Sequence, residues 1–208
     1  MTDRRLSWRF RLVVLVLAVV WLAMLLGGAG PADRAIYEAL YAGHQPLLLL
    51  IARTLTFFGE PTLLIGASVM SALWFWYRGR GRLGLVLMAV TLVGRLSSEA
   101  QKIWIARVRP DAEPHLVVVK TSSFPSGHAA SSMIFYLALA IILAGHSRHR
   151  FAAAGAAIGF SFLIGTSRVM LGVHWPSDVI GGWSFGLLWV MLALRPAEHL
   201  LRSDSEME

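Results

Sequence analysis

Cysteine is absent from this 208-residue chain. A disulfide framework and thiolate chemistry are therefore excluded. Charge is scarce, at 15% of residues, and acids are the scarcer sign: 12 Asp and Glu stand against 19 Lys and Arg. The few acids form no cluster at metal-ligand spacing, and no H-E-x-x-H string occurs. There is no internal repeat and no low-complexity segment, which removes repeat arrays from consideration.

Apolar side chain is what the sequence has in excess. Hydrophobic residues make up 56% of it, and mean hydropathy is +0.62, against ~45–50% apolar usage in soluble domains. A net charge of +7 raises the question of nucleic acid. The basic residues, however, lie in short clusters between apolar runs, which is a pattern of membrane topology, and no nucleic-acid partner is expected. Six segments approach the ~20 residues that a crossing helix needs: residues 12–29, 61–77, 83–104, 127–144, 151–171 and 176–194. The first runs 18 residues without a charge. That exceeds the ~7–15 residues of a signal-peptide core, so a retained anchor is expected. Residues 47–58 are apolar but are interrupted by Arg53 and ended by Gly59. They are too short to span and are expected at the interface or packed on the bundle.

The expected fold is all-α, a six-span transmembrane bundle forming a single domain over residues 1–208, with about residues 1–10 and 197–208 as flexible ends. Eleven of the 19 basic residues fall on one side: Arg4, Arg5, Arg9, Arg11, Arg78, Arg80, Arg82, Arg148, Arg150, Arg195 and Arg202. The positive-inside rule makes that side, with both termini, cytoplasmic.

Three polar strings interrupt the apolar pattern: residues 102–110 (KIWIARVRP), 124–128 (FPSGH) and 167–178 (SRVMLGVHWPSD). Counting helix ends brings all three to one membrane face, whichever way the bundle is inserted. In the first string, Lys102 alone reads as a snorkelling lysine. Arg95, Glu99 and Lys102 share a helix face at i, i+4 and i+7, so Glu99 is expected to support two cations near lipid. Arg109 precedes Pro110, which biases it toward an extended backbone. Its guanidinium fork suits two phosphate oxygens. In the second, Pro125-Ser126-Gly127-His128 reads as a helix start with Ser126 as a local cap. The same start offers free amides to an anion, and Gly127 lets a ligand approach the backbone. In the third, Arg168 ends one span. Pro176 reads as the first residue of the next helix, which sets Asp178 one turn past His174. A carboxylate there can fix the imidazole tautomer and leave the other ring nitrogen free to attack phosphorus.

Together the strings resemble the three-part signature of the type 2 phosphatidic acid phosphatase superfamily: K-x6-R-P, P-S-G-H and S-R-x5-H-x3-D. All eleven fixed positions match, at Lys102, Arg109, Pro110, Pro125, Ser126, Gly127, His128, Ser167, Arg168, His174 and Asp178. The resemblance implies a six-helix membrane core, His174 as nucleophile, Asp178 as its orienting partner and His128 as general acid. It implies phosphate binding by Lys102, Arg109, Ser126, Gly127 and Arg168, with no metal and no other cofactor.

The expected activity is hydrolysis of a lipid phosphate or pyrophosphate through a phosphohistidine. Phosphatidate, phosphatidylglycerophosphate, undecaprenyl pyrophosphate and lipid A phosphate all fit a site at the membrane surface. The expected partners are that substrate and membrane lipids, with no obligate protein partner. The expected location is a bacterial inner membrane with the site facing the periplasm or exterior. A broad-specificity acid phosphatase is the alternative. A transporter would distribute its charges along a mid-membrane path, whereas these collect at one end. The vanadate-dependent haloperoxidases, which share the signature, lack transmembrane helices. Trp104 and Trp175 are read as interfacial anchors, and residues 111–120 as a loop over the site.

Overall fold

The computed structural model describes residues 7–145 and 147–195. Arg4, Arg5, Arg202 and the C-terminal stretch 197–208 lie outside these. Eight helices make up the described chain: α1 Trp8–Gly27, α2 Pro31–Leu40, α3 Pro46–Phe57, α4 Pro61–Tyr77, α5 Gly81–Ile105, α6 Gly127–Ala144, α7 Arg150–Met170 and α8 Pro176–Ala193. Four of them open on proline, where the missing N–H costs nothing and φ is already helical. α1 begins at Trp8, inside the stretch expected to be a loose end, and Ser7 Oγ caps it by accepting from Phe10 N at 3.3 Å.

Among the described residues four helices are long and apolar enough to cross a membrane: α1, α5, α6 and α7. The bent pair α3–α4, with 43° between its arms, makes a fifth if it is taken as one span. α8, the sixth segment expected from the sequence, has 18 residues and falls outside that set. Its polar first turn, Pro176-Ser177-Asp178, dilutes its apolar character. Residues 47–58 pack on the bundle, as α3 against α7, and lead through the bend into α4.

α6 is the hub, touching α4, α5, α7 and α8. Apart from His128, its first six residues are small, and α8 meets them with glycines. A Cβ on Gly182 would stand 2.8 Å from Ser126 O, and one on Gly186 2.8 Å from Met133 Cβ. Small residues let two backbones approach where lipid supplies no hydrophobic drive. The other half of α6 carries the bulky core, where Met133, Ile134, Phe135 and Leu137 meet Leu64, Phe75, Leu83, Leu87 and Val190. The close α6–α8 contact therefore lies at the end where the polar strings converge. α2 lies over that end, its buried Tyr37 against the Trp175 ring, with centroids 5.7 Å apart.

Candidate active site

Seven of the nine residues expected at the site line one cavity of about 280 Å³: Glu99, Lys102, Arg109, Gly127, His128, Arg168 and His174. The cavity is held by four elements that end or begin at the same face: the end of α5, the start of α6, the end of α7 and the segment before α8. The other two residues are not part of its lining. Asp178 is fully buried behind His174. Ser126 is the N-cap residue of α6, yet its side chain caps nothing, against the sequence expectation, and its buried Oγ has no protein partner. The first-turn amides of α6 thus carry no side-chain cap and point their partial positive charge at the cavity end of the helix.

His174 is almost wholly buried. Its Nε2 stands 3.2 Å from Arg109 Nη1 and its Nδ1 3.4 Å from Asp178 Oδ2. A guanidinium has only donors, so Nε2 accepts and the proton sits on Nδ1. The tautomer follows from the geometry: a lone pair faces the cavity and an N–H faces Asp178. Burial, first, and then the charges of Arg109, Lys102 and Arg168 push the His174 pKa well below the ordinary imidazole range. Burial also lowers Arg109, and Asp178 opposes that shift.

The three cations are held by backbone carbonyls and one hydroxyl. Lys102 Nζ donates to Ser122 O at 2.9 Å. Arg109 Nε donates to Thr121 O at 2.8 Å and its Nη1 to Val173 O at 2.5 Å. Arg168 Nη1 donates to Thr56 Oγ1 at 2.8 Å, and its Nε has no partner. Among the described residues none of the three is in a salt bridge, so their charge is available to an anion. Glu99 pairs with Arg95 at 3.2 Å. The expected bridge from Glu99 to Lys102 does not form, because Lys102 is drawn to Ser122.

Asp178 is held from three sides by groups that sequence reasoning missed. Ser123 Oγ and Trp175 N, the latter at 2.9 Å, donate to Oδ2. Arg107 Nη1 donates to Oδ1 at 2.8 Å. The same guanidinium reaches Met24 O and Leu25 O at the end of α1, at 2.8 and 2.6 Å, and stacks 4.4 Å over the Phe124 ring. Arg107 and Ser123 lie within or beside the signature strings, and adjacency was their only signal. Asp33 of α2 accepts Ser177 N at 2.8 Å, capping α8 across 144 residues. No local pattern marks it. Trp175 was misread. It is buried, and its Nε1 donates to Val108 O at 3.1 Å, so it braces the site rather than anchoring at the interface. Trp104 is exposed. The loop over residues 111–120 does contribute wall, through Val117, Val118, Val119 and Lys120.

A buried histidine, a partly buried one, three cations without a salt bridge among the described residues and a helix N-terminus around one cavity make a site for a tetrahedral oxyanion. Comparison with known proteins bears on which one. A family model described as PAP2 superfamily matches residues 81–199. The chain belongs to the PAP2 superfamily. It is 38% identical over 166 residues to phosphatidylglycerophosphatase B from Bacillus subtilis strain 168, covering 77% of this chain and 81% of that protein. It is 28% identical to a lipid A 1-phosphatase from Rhizobium johnstonii, over 90% of this chain and 80% of the relative. A solved structure described as the first transmembrane PAP2 type phosphatidylglycerolphosphate phosphatase from Bacillus subtilis superposes with a TM-score of 0.79. That match has 33% identity and covers 89% of this chain and 96% of the other. Aquifex aeolicus LpxE shares the fold at TM-score 0.60 and 20% identity, over 81% of this chain and 98% of the other. As a PAP2 member with these relatives, the chain is an integral membrane hydrolase of the lipid phosphatase type.

Proposed function

We propose that this PAP2 phosphatase hydrolyses the phosphomonoester of a glycerophospholipid, with a phosphatidylglycerophosphate-type headgroup as the substrate class. The observation that carries the reading is the cavity itself, where His174 Nε2 and the cations of Lys102, Arg109 and Arg168 converge on one space with room for a phosphate. The choice among lipids follows the B. subtilis relative, whose match spans most of both chains.

On this reading the cations, the Gly127 amide and the Ser126 hydroxyl hold the phosphate, and Glu99 supports them. His174 Nε2 attacks phosphorus while its Nδ1–H stays on Asp178. The bond from phosphorus to the lipid oxygen breaks, and His128 supplies the proton that oxygen needs. Water then gives a proton to His128 and its hydroxide to the phosphohistidine, releasing inorganic phosphate and free imidazole. Charge neutralisation and positioning supply most of the acceleration, as in other phosphoryl transfers.

The chain acts as a single domain of six spans, with α8 as the sixth. Both termini are cytoplasmic in a bacterial inner membrane, and the cavity faces the opposite side. The basic residues Arg78, Arg80 and Arg82 between α4 and α5, and Arg148 and Arg150 before α7, support that orientation.

The test is phosphate release from a panel of purified lipids in detergent: phosphatidylglycerophosphate, phosphatidate, undecaprenyl pyrophosphate and lipid A 1-phosphate, beside glycerol phosphate. The expected result is the highest kcat/KM on the first. Glycerol phosphate should be at least about 100-fold worse, because it forgoes membrane affinity worth roughly 0.8 kcal/mol per buried methylene. Equal rates on lipid and headgroup would replace this reading with a general acid phosphatase.

A further inference from the structure

The corner between α3 and α4, which has no part in the signature, touches the cavity at several points. Thr56 holds Arg168 at 2.8 Å. A Cβ on Gly59 would stand 3.1 Å from His128 Cδ2, so the bare backbone of this glycine packs against the imidazole edge. Tyr136 of α6 ties the corner down by donating to Phe58 O at 2.8 Å. Next along the chain, Glu60 sets Oε2 3.3 Å from His128 Nε2. That distance is an ion-pair distance, off-axis for a hydrogen bond. Glu60 lines the cavity with its carboxylate half exposed.

We propose that Glu60 is the positioning carboxylate of His128, so that the site holds a second imidazole–carboxylate pair, built for the leaving group as His174–Asp178 is built for attack. The inference rests on the reading of His128 as general acid. The reason for the pair is electrostatic. Lys102 faces the cavity from α5, Arg168 from α7, and Arg109 and His174 from the segments beside them. Two of the cations that hold the phosphate, Arg168 and Lys102, also oppose a proton on His128. Glu60, on the α3–α4 corner, is the carboxylate within ion-pair reach of that ring among the described residues. Its negative charge offsets the cations where the acid must carry a proton.

The proton accounting is simple. Protonated His128 keeps one N–H toward Glu60 and gives the other to the lipid oxygen as the bond to phosphorus breaks. The neutral ring later takes a proton from the attacking water. Glu60 orients and stabilises throughout and stays ionised. Its half exposure suits this task, since the acid must be re-protonated from water after each cycle.

The experiment compares two amphiphiles of equal tail length, an alkyl phosphate and an alkyl-tailed nitrophenyl phosphate. The alkoxide needs an acid to leave, and the nitrophenolate does not. In Glu60→Gln, kcat/KM should fall about 10- to 100-fold on the alkyl phosphate and less than about three-fold on the aryl phosphate. The alkaline limb of kcat/KM on the alkyl phosphate should move to lower pH, because a protonated His128 has lost its counter-charge. Glu60→Asp keeps the charge and should keep the limb near the wild-type position. In a His128→Ala background, adding Glu60→Gln should lower the rate no further. Equal losses on both substrates, no loss on either, a limb that moves as far in Glu60→Asp as in Glu60→Gln, or additive loss in the His128→Ala background would each overturn the proposal. Wild-type protein inert on every lipid phosphate would instead defeat the lipid phosphatase reading beneath it.

Discussion

The cavity holds two histidines, each with a carboxylate within 3.4 Å, and the two pairs are built in opposite ways. Asp178 is sealed. It has no exposed side-chain surface, and Ser123, Trp175 and Arg107 all donate to it. Glu60 is half exposed on a helix corner and, among the described residues, has no comparable set of donors. The contrast matches the proposed tasks. A nucleophile must keep one tautomer and must not gather protons, so its partner is buried and saturated with donors. An acid must exchange its proton with water every turnover, so its partner is left wet. Carboxylate–imidazole proximity alone would not have separated the two roles. The surroundings of the carboxylate do.

The largest expected effect breaks the sealed pair at its centre. His174→Ala removes the atom that takes the phosphoryl group, and kcat should fall by at least about 10⁴-fold. The folded state should survive, since the residue fills a lined cavity wall rather than the bulky core around Met133 and Leu87. Phosphate release together with a detergent melting curve checks both statements. Substantial turnover in a folded His174→Ala protein would remove the phosphohistidine.

How the sealed pair is held was only partly legible in the sequence. Lys102, Arg109, His128, Arg168, His174 and Asp178 were found because their spacing is local and their chemistry is rare among apolar residues. Proline at the head of α4 and α8 marked those starts correctly. Asp33, Glu60 and Arg107 were missed as site residues for one physical reason. Each works through a partner 68 to 144 positions away, at His128, Asp178 or Ser177, and no helical period encodes such a pairing. Trp175 was misjudged because an indole near a helix start looks the same in sequence whether it meets headgroups or braces a loop. α8 trades apolar length for the polar first turn that carries Asp178.

Arg107 offers the next, smaller test of what sealing contributes. Its guanidinium joins Asp178 to the carbonyl end of α1, and Gly28 leaves the room it needs, since a Cβ there would collide with Nη1. Arg107→Ala leaves a buried carboxylate short of its counter-charge, a change that costs about 3–5 kcal/mol when a buried pair is broken. The expected result is a kcat loss of about 10- to 100-fold with KM within about two-fold, because Arg107 acts on the orienting carboxylate and not on phosphate. Arg107→Lys should recover part of kcat, since it restores the charge but not the fork. A rise in KM with kcat unchanged would show that Arg107 binds substrate and does not position Asp178.

The smallest expected effect is a titration, and it reads the sealed pair without any substrate. Burial and the neighbouring cations lower the pKa of His174. The sign follows directly: a depressed imidazole stays neutral, and nucleophilic, as pH falls through the ordinary value of about 6.5, and it takes a proton only well below that. Nuclear magnetic resonance of ring-labelled histidine in detergent can follow this, with the His174 signal assigned by its loss in His174→Gln. Its midpoint should lie clearly below 6.5. Arg109→Gln removes one of the depressing charges, so the midpoint should rise, yet it should stay below the ordinary value because burial is the larger cause. A wild-type midpoint at or above 6.5 would mean that His174 rests protonated at neutral pH. The cations would then be binding phosphate beside an imidazolium, and the contrast between a sealed nucleophile and a wet acid would fail at its first member.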